Sequence, residues 1–154
     1  ELSENIYIYN NTYIVTSNSD PMIELNANQL NLWNNLFIVD DGSRLGRKVN
    51  LGWSEGEGIN IRGNLFVGNI SPNFIGLDET PSMRDFSYKG YGDKPENFSF
   101  SKKDVESSIK IKHPVFEMAG KGIFSHVTSS AEVDFFRNKI SDNFIFSGAG
   151  YDNE

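Results

Sequence analysis

The stretch NIYIYNNTYIV at residues 5–15 returns, with changes, as QLNLWNNLFIV at 29–39 and as GINIRGNLFVG at 58–68. In each copy every second residue is Ile or Leu until an Asn is reached, and a large ring follows two positions later. That Asn is Asn11, Asn35 or Asn64, so the copies recur at steps of 24 and 29 residues. A repeat of this length is typical of architectures in which each copy supplies one stacked layer.

The alternation within each copy predicts a β-strand, because successive side chains of a strand point to opposite faces. One face then carries the aliphatic residues, which are Ile6, Ile8, Leu30, Leu32, Ile59 and Ile61. The rings that follow the Asn are Tyr13, Phe37 and Phe66. We expect these rings to stack on one another inside the fold. A third recurrence, of Ile23 and Leu25 as Val49 and Leu51, predicts a further strand in each layer.

An Asn-Asn pair in the repeat also indicates how the layers turn and stack. Its first member, Asn10 or Asn34, is replaced by Gly63 in the third copy, as expected where the backbone turns a corner with positive φ. Its second member is Asn in all three copies. Buried amides in successive layers can hydrogen-bond to one another, so the repeat predicts a ladder of asparagines along the stack.

Composition restricts the class of protein. The chain has 154 residues, of which 38% are hydrophobic and 13% aromatic, so it can bury a core of its own. A net charge of -7 opposes binding to nucleic acid and to anionic membrane surfaces. No apolar run is long enough to insert into a membrane. The absence of cysteine excludes disulfides, thiolate nucleophiles and Cys-ligated zinc.

Three phrases near the C-terminus carry a resemblance to a known family. IKHPVFEMAGKGI at 111–123 resembles Ser-Pro-Ala-Ile-Asp-Ala-Gly, with His113 in the place of Ser. VDFFRNKIS at 133–141 resembles Asp-Phe-Phe-Gly-Asn-Pro-Ile, with Arg137 in the place of Gly. FIFSGAGY at 144–151 is similar to a closing Ile-Gly-Ala-Tyr. With the repeat, they resemble the C-terminal part of secreted bacterial members of the pectin-lyase-like superfamily.

The resemblance implies an all-β fold, a right-handed parallel β-helix or solenoid. Its coils would occupy residues 1–77, a loop-rich insertion residues 78–108, and the C-terminal coil and cap residues 109–154. It also implies a partner within the same polypeptide, namely coils that precede residue 1 in a longer chain. Such proteins are secreted or stand at the cell surface, in the extracellular space or the periplasm.

In β-helix enzymes that act on polysaccharides, the resemblance places the substrate along the outward face of the first strand of each coil. Here the outward residues are Tyr7, Tyr9, Asn31, Trp33, Asn60 and Arg62. Rings stack on the C–H faces of sugars, and amides and guanidinium groups bind hydroxyls and carboxylates. The sequence therefore predicts a polysaccharide-binding face. The alternative interpretation is that exposed rings are favoured in strands by β-propensity alone.

No carboxylate stands in those outward positions, although hydrolysis by an acid and a base needs two. The segment GWSEGEG at 52–58 supplies the nearest ones. Its Trp53 would extend the binding face, and Glu55 or Glu57 would serve as acid or base. Arg62 would neutralise a uronate or act as the base in β-elimination. The alternative interpretation of the segment is a Gly-rich solvated turn.

Calcium is the remaining candidate cofactor, and no other metal or cofactor is predicted. DDGSRLGRK at 40–48 offers Asp40 and Asp41 as ligands, but it lacks the spacing of a known calcium loop and also fits a polar turn. His113 and His126 support neither a metal site nor a catalytic triad.

Two functional hypotheses follow from the sequence. The first is the C-terminal portion of an exported carbohydrate-active protein, a polysaccharide lyase or glycoside hydrolase that binds or cleaves an extracellular polysaccharide. The second is a non-catalytic surface adhesin or structural β-solenoid, in which the coils form a rigid spacer.

Overall fold

A computed structural model of the chain describes residues 4–15, 21–39, 43–51, 58–86, 100–107, 134, 137–139 and 146–152, with the backbone alone at 4 and 5. Within these ranges the chain is mostly β, with parallel strands, as the repeat predicts. The strands are β1 Glu4–Tyr9, β2 Thr12–Val15, β3 Ile23–Glu24, β4 Asn28–Trp33, β5 Leu36–Val39, β6 Val49–Asn50, β7 Asn60–Arg62, β8 Leu65–Gly68 and β9 Ser82–Arg84. The helices are α1 Pro72–Ile75 and α2 Lys102–Val105.

The described strands form three parallel sheets. The first sheet has the order β1-β4-β7, the second β2-β5-β8-β9 and the third β3-β6. Ile8 pairs with Leu32, and Leu32 pairs with Ile61, so strand neighbours lie 24 and 29 positions apart along the chain. The register of β1-β4-β7 and of β2-β5-β8 therefore follows the sequence repeat, whereas β3-β6 and β8-β9 pair at other spacings.

The aliphatic face of the first sheet and the rings of the second sheet share one core. Leu30, Leu32 and Ile61 are buried there, and Ile6, Ile8 and Ile59 pack against them. The rings of Tyr13 and Phe37 stack with centroids 4.9 Å apart, and those of Phe37 and Phe66 stack at 5.6 Å. The predicted inward face and the stacking of the rings are confirmed, but only Phe37 and Phe66 are buried, whereas Tyr13 is exposed at the end of the stack.

The turns between the first and second sheets lie at the first member of each Asn-Asn pair. Asn10, Asn34 and Gly63 have φ angles of 52°, 49° and 70°. The predicted left-handed corner is therefore confirmed in all three copies. Asn tolerates this conformation better than most residues because its short polar side chain bonds locally, and Gly tolerates it because it has no Cβ.

The second Asn of each pair forms the predicted ladder. Both nitrogens of Asn11, in the main chain and the side chain, donate to Oδ1 of Asn35 over 3.0 and 3.2 Å. Both nitrogens of Asn35 donate in the same way to Oδ1 of Asn64, over 2.8 and 3.0 Å. The ladder therefore has a direction, in which each layer donates to the layer that follows it in sequence.

Asp78 ends this ladder, a contact that the repeat does not predict. Its Oδ2 accepts hydrogen bonds from the main-chain and side-chain nitrogens of Asn64, at 3.0 and 2.7 Å. Its Oδ1 accepts from the backbone N–H groups of Gly63 and Thr80, at 3.1 and 2.8 Å. A buried carboxylate with four donors is well satisfied, which explains how it is tolerated inside the fold.

A second core lies on the outer face of the second sheet. Leu36, Ile38, Leu65 and Val67 point outward from β5 and β8, and they pack against Phe100, Val105, Phe146 and Tyr151. Both faces of β5 are therefore covered, and all four of its residues are buried. Because a strand covered on both faces needs apolar residues at every position, LFIV replaces the alternation seen in β4.

Residues 146–149, here called the strap, run across the corners of all three layers. Nδ2 of Asn10 donates to the carbonyl of Phe146 over 3.0 Å. The Ser147 hydroxyl donates to the carbonyl of Gly63 over 3.1 Å. The N–H of Gly148 donates to the carbonyl of Asn34 over 2.7 Å. The strap thereby ties the three layers together from outside.

A buried cluster behind the strap joins two of the terminal phrases. The two oxygens of Asp134 accept from the main-chain and side-chain nitrogens of Asn138, both at 2.8 Å. Nδ2 of Asn138 also donates to the carbonyl of Tyr151. Between the pair, Arg137 has a φ of 67°, a conformation in which glycine is favoured.

Candidate functional site

The outer face of the first sheet carries two columns of side chains. The register aligns Tyr7 with Asn31 and Asn31 with Asn60. In the same way it aligns Tyr9 with Trp33 and Trp33 with Arg62. All six side chains are half-buried. The structure thus brings together on one face the six described residues that the sequence assigns to it.

Three of these side chains form a contact chain across the sheet. The rings of Tyr7 and Trp33 meet edge to face, with centroids 6.0 Å apart and an interplanar angle of 76°. The guanidinium carbon of Arg62 lies 5.6 Å from the centroid of the Trp33 ring, which is within cation–π range. The indole therefore links strand β1 to strand β7 and orients the cation at one end.

The amides of the neighbouring column are held by the sheet and by each other. Nδ2 of Asn31 donates to the carbonyls of Gln29 and Ile6, over 3.1 and 3.4 Å. Nδ2 of Asn60 lies 3.5 Å from Oδ1 of Asn31, at the limit of a hydrogen bond. The two amides occupy the column beside the one that contains Trp33 and Arg62.

Three polar atoms on this face are buried and have no hydrogen-bond partner in the described part of the chain. They are Nε1 of Trp33, Oδ1 of Asn60 and Nε of Arg62. An unpaired buried polar atom costs roughly 1–3 kcal/mol, and such atoms are rare in folded proteins. The face therefore holds hydrogen-bonding capacity that a polar ligand can satisfy when these half-buried side chains adjust their rotamers.

Tyr9 adds a neutral hydroxyl beside Trp33. Burial raises the pKa of the Tyr9 phenol above its ordinary value, because the ionised form loses solvation. The hydroxyl therefore stays protonated at neutral pH and can both donate and accept a hydrogen bond.

Several predicted site residues lie outside the described ranges. They are Trp53, Glu55 and Glu57 of the Gly-rich segment, Asp40 and Asp41 of the candidate calcium loop, and the two histidines. Their assigned roles therefore stay predictions. Within the two described columns themselves there is no carboxylate.

Two further properties hold for the part of the chain that the structure describes. No group of three or more His, Asp or Glu side chains is placed so that it could hold a metal ion. No described helix has the length and hydropathy required to cross a bilayer.

Comparisons with known proteins identify no relative. No protein-family model matches the chain, and neither the curated proteins nor the solved structures contain a match.

Proposed function

We propose that this chain binds an extracellular polysaccharide on the outer face of its first sheet. It would do so as the C-terminal portion of an exported carbohydrate-active protein, secreted or at the cell surface. The fold proposed for it is a right-handed parallel β-helix of the pectin-lyase-like superfamily, with preceding coils of a longer chain as its covalent partner.

Two groups of observations support the family. In the first, parallel neighbours in the first and second sheets are offset by one copy of the repeat, as in a stack of coils. In the second, described residues of two of the terminal phrases have features that fit the resemblance. Arg137 has positive φ where the family has Gly, and Asp134 and Asn138 hydrogen-bond to each other and to Tyr151 of the closing phrase.

The observation that carries the binding proposal is the contact chain of Tyr7, Trp33 and Arg62, together with the unpaired polar atoms beside it. Carbohydrate ligands present C–H faces that pack on rings and hydroxyls that bond to amide, indole and guanidinium groups. Aromatic and polar groups of this kind alternate across the two columns. Arg62 is positively charged and has no acidic neighbour in the columns, so it also suits a ligand that carries carboxylates.

Cleavage is the less supported half of the proposal. A lyase needs a base and a hydrolase needs two carboxylates within reach of the bond. Within the described columns, Arg62 is the residue assigned as the base of a β-elimination. Glu55 and Glu57, or coils outside this sequence, would have to supply the remaining groups.

The second candidate is a non-catalytic adhesin or structural β-solenoid. One specific observation favours it, since Arg62 stacks on the Trp33 ring and Tyr7 meets the same ring, so the face is partly packed against itself. A rigid spacer needs such packing and no ligand. The two candidates differ in one measurable property, which is affinity for sugar chains.

A binding screen tests the proposal. The chain is passed over a panel of neutral and uronate polysaccharides, beside Trp33→Ala, Arg62→Ala and the control Arg84→Ala. Arg84 is exposed on β9 of the second sheet, so its loss changes the net charge equally without touching the face. We expect at least one polysaccharide to be retained by the wild type and the control, with both face variants weakened at least tenfold. Equal retention of all four proteins would show that the polysaccharide binds away from this face. No retention of any folded protein would favour the structural solenoid.

A further inference from the structure

The indole of Trp33 is covered by the side chains that lie beside it. The guanidinium carbon of Arg62 lies over the ring, 5.6 Å from its centroid. The ring of Tyr7 meets the same indole edge to face, at an interplanar angle of 76°. Nε1 of Trp33 is buried and has no hydrogen-bond partner in the described part of the chain. A ligand therefore reaches the covered ring face and this donor only when a neighbouring side chain moves.

Arg62 is the neighbour whose chemistry suits such a movement. Its backbone is fixed in β7, where its carbonyl accepts from the N–H of Asn34 over 3.3 Å. The two columns contain no carboxylate that would hold its guanidinium in an ion pair, and its Nε is buried without a hydrogen-bond partner among the described residues. A cation–π contact outside a dry core changes an equilibrium only about two- to fivefold. A charged hydrogen-bonded pair with a ligand can therefore replace it.

We propose that Arg62 gates the Trp33 ring and that a carboxylate on the ligand opens the gate. The guanidinium leaves the ring and forms a two-pronged ion pair with the carboxylate, and the sugar that carries the carboxylate packs its C–H face on the indole. A neutral sugar has no group that draws Arg62 away, so it meets a covered ring. The inference rests on the proposed polysaccharide binding and adds how the same face admits acidic chains and excludes neutral ones.

A gate differs from a simple contact in the sign of one effect. If Arg62 only attracted the ligand, Arg62→Ala would weaken the binding of acidic chains and leave that of neutral chains unchanged. If Arg62 is a gate, Arg62→Ala also uncovers the indole, so neutral chains bind more tightly than they bind to the wild type. Arg62→Met is the matched control, because its flexible apolar side chain can still lie over the ring but carries no charge.

The accessibility of the indole tests the cover without any sugar. In a Trp53→Phe background Trp33 is the sole tryptophan, so quenching of its emission by acrylamide reports on this ring alone. We expect Arg62→Ala to raise the quenching constant at least about twofold, as loss of a weak contact over the ring allows, and Arg62→Met to leave it close to that of the parent. Cooperative urea unfolding shows that each variant is folded. Equal quenching of the parent and Arg62→Ala would overturn the proposal.

Binding of polygalacturonate, alginate and hyaluronan, each beside its carboxyl-reduced neutral form, tests the selectivity in the Trp53-containing chain. We expect the wild type to prefer the acidic form of at least one of them. Arg62→Ala should bind that acidic form more weakly and its reduced form at least about threefold more tightly than the wild type does, whereas Arg62→Met should bind both forms weakly.

Two binding results would overturn the gate, and they differ from a failure of the proposed function. Equal weakening of the acidic and the reduced form by Arg62→Ala would make Arg62 a simple contact, with polysaccharide binding intact. A wild type that binds the two forms equally would show that no carboxylate is needed to reach the ring. No binding of any form by any folded protein, Arg62→Ala included, would overturn the proposed function and the gate together.

Discussion

Nδ2 of Asn64 donates to Oδ2 of Asp78 over 2.7 Å, so a column of stacked asparagines ends in a buried carboxylate. The same carboxylate accepts three backbone N–H groups, from Gly63, Asn64 and Thr80. Asp78 therefore closes a polar column that would otherwise leave donors unpaired inside the fold.

Replacement of Asp78 is expected to destabilise the chain strongly. Asp78→Ala leaves buried donors without partners and should lower the free energy of unfolding by about 3 kcal/mol. Asp78→Asn keeps the shape of the side chain but turns one acceptor into a donor that faces other donors. We therefore expect the free energy of unfolding to fall by about 1.5 kcal/mol. Urea unfolding measures both. The exposed neighbour Glu79 gives the control, since Glu79→Gln should stay within about 0.5 kcal/mol of wild type. Equal stability of Asp78→Ala and this control would show that the ladder needs no terminal acceptor.

Arg137→Gly is expected to stabilise the chain. Arg137 has a φ of 67°, which is strained for a residue with a Cβ. Glycine removes that strain, at some cost in the entropy of the unfolded chain. We therefore expect the free energy of unfolding to rise by up to about 1 kcal/mol. Arg137→Ala is the matched control, because it removes the same exposed side chain and keeps the Cβ. Equal urea midpoints for the Gly and Ala variants would contradict the left-handed assignment at this turn.

Gly148→Ala is expected to displace the strap. An added Cβ would lie 2.7 Å from Oγ1 of Thr12 and 2.9 Å from Cβ of Leu36, at a φ of 90°. We expect the free energy of unfolding to fall by at least about 2 kcal/mol. Binding of a hydrophobic dye should rise, because the outer face of β5 becomes exposed. Ser147→Ala removes a single hydrogen bond and should cost about 1 kcal/mol without the dye response. A Gly148→Ala variant as stable as wild type would refute close packing of the strap.

Stability is expected to fall in alkali through Tyr9 and Tyr13. Burial raises the pKa of both phenols above their ordinary 10.0. The folded state therefore favours the protonated phenols, and this preference stabilises it relative to the unfolded state. The stabilisation is fully present below pH 10 and is lost as the pH rises through the folded-state pKa. Urea midpoints at pH 8 and pH 11 should show a smaller alkaline loss for the Tyr9→Phe, Tyr13→Phe double variant than for the wild type. An equal loss in both proteins would assign the alkaline effect to other groups.

Much of the layered part of the fold follows from the sequence, because each layer repeats the last. The spacing of Ile8, Leu32 and Ile61 predicts which residues are neighbours on adjacent strands. The exchange of Asn34 for Gly63 predicts where the chain turns the corner between sheets. The contact between Trp33 and Arg62 follows from the same register. These features are local patterns that recur in each layer, so one chain displays them several times.

The rest depends on single contacts between residues far apart in sequence. Ser147 reaches Gly63 across 84 positions, and nothing in the repeat predicts that pairing. The consecutive apolar residues of β5 (LFIV) and β8 (LFV) are the local signal that an additional layer covers the second sheet. Asp78 has an indirect signal as well, since the Asn pattern stops after Asn64 and some other acceptor must replace it. For the candidate site, the sequence predicts which residues share the face, because their register follows the repeat.

The measurement that tests the binding proposal most directly is the fluorescence of Trp33 during titration with a polysaccharide retained in the screen. The chain has two tryptophans, so a Trp53→Phe variant leaves Trp33 as the sole indole. We predict a saturable change in its emission, with an affinity that falls at least tenfold when Arg62→Ala is added. If the retained polysaccharide leaves the Trp33 emission unchanged at saturation, the ligand binds elsewhere and the first-sheet face is a structural surface.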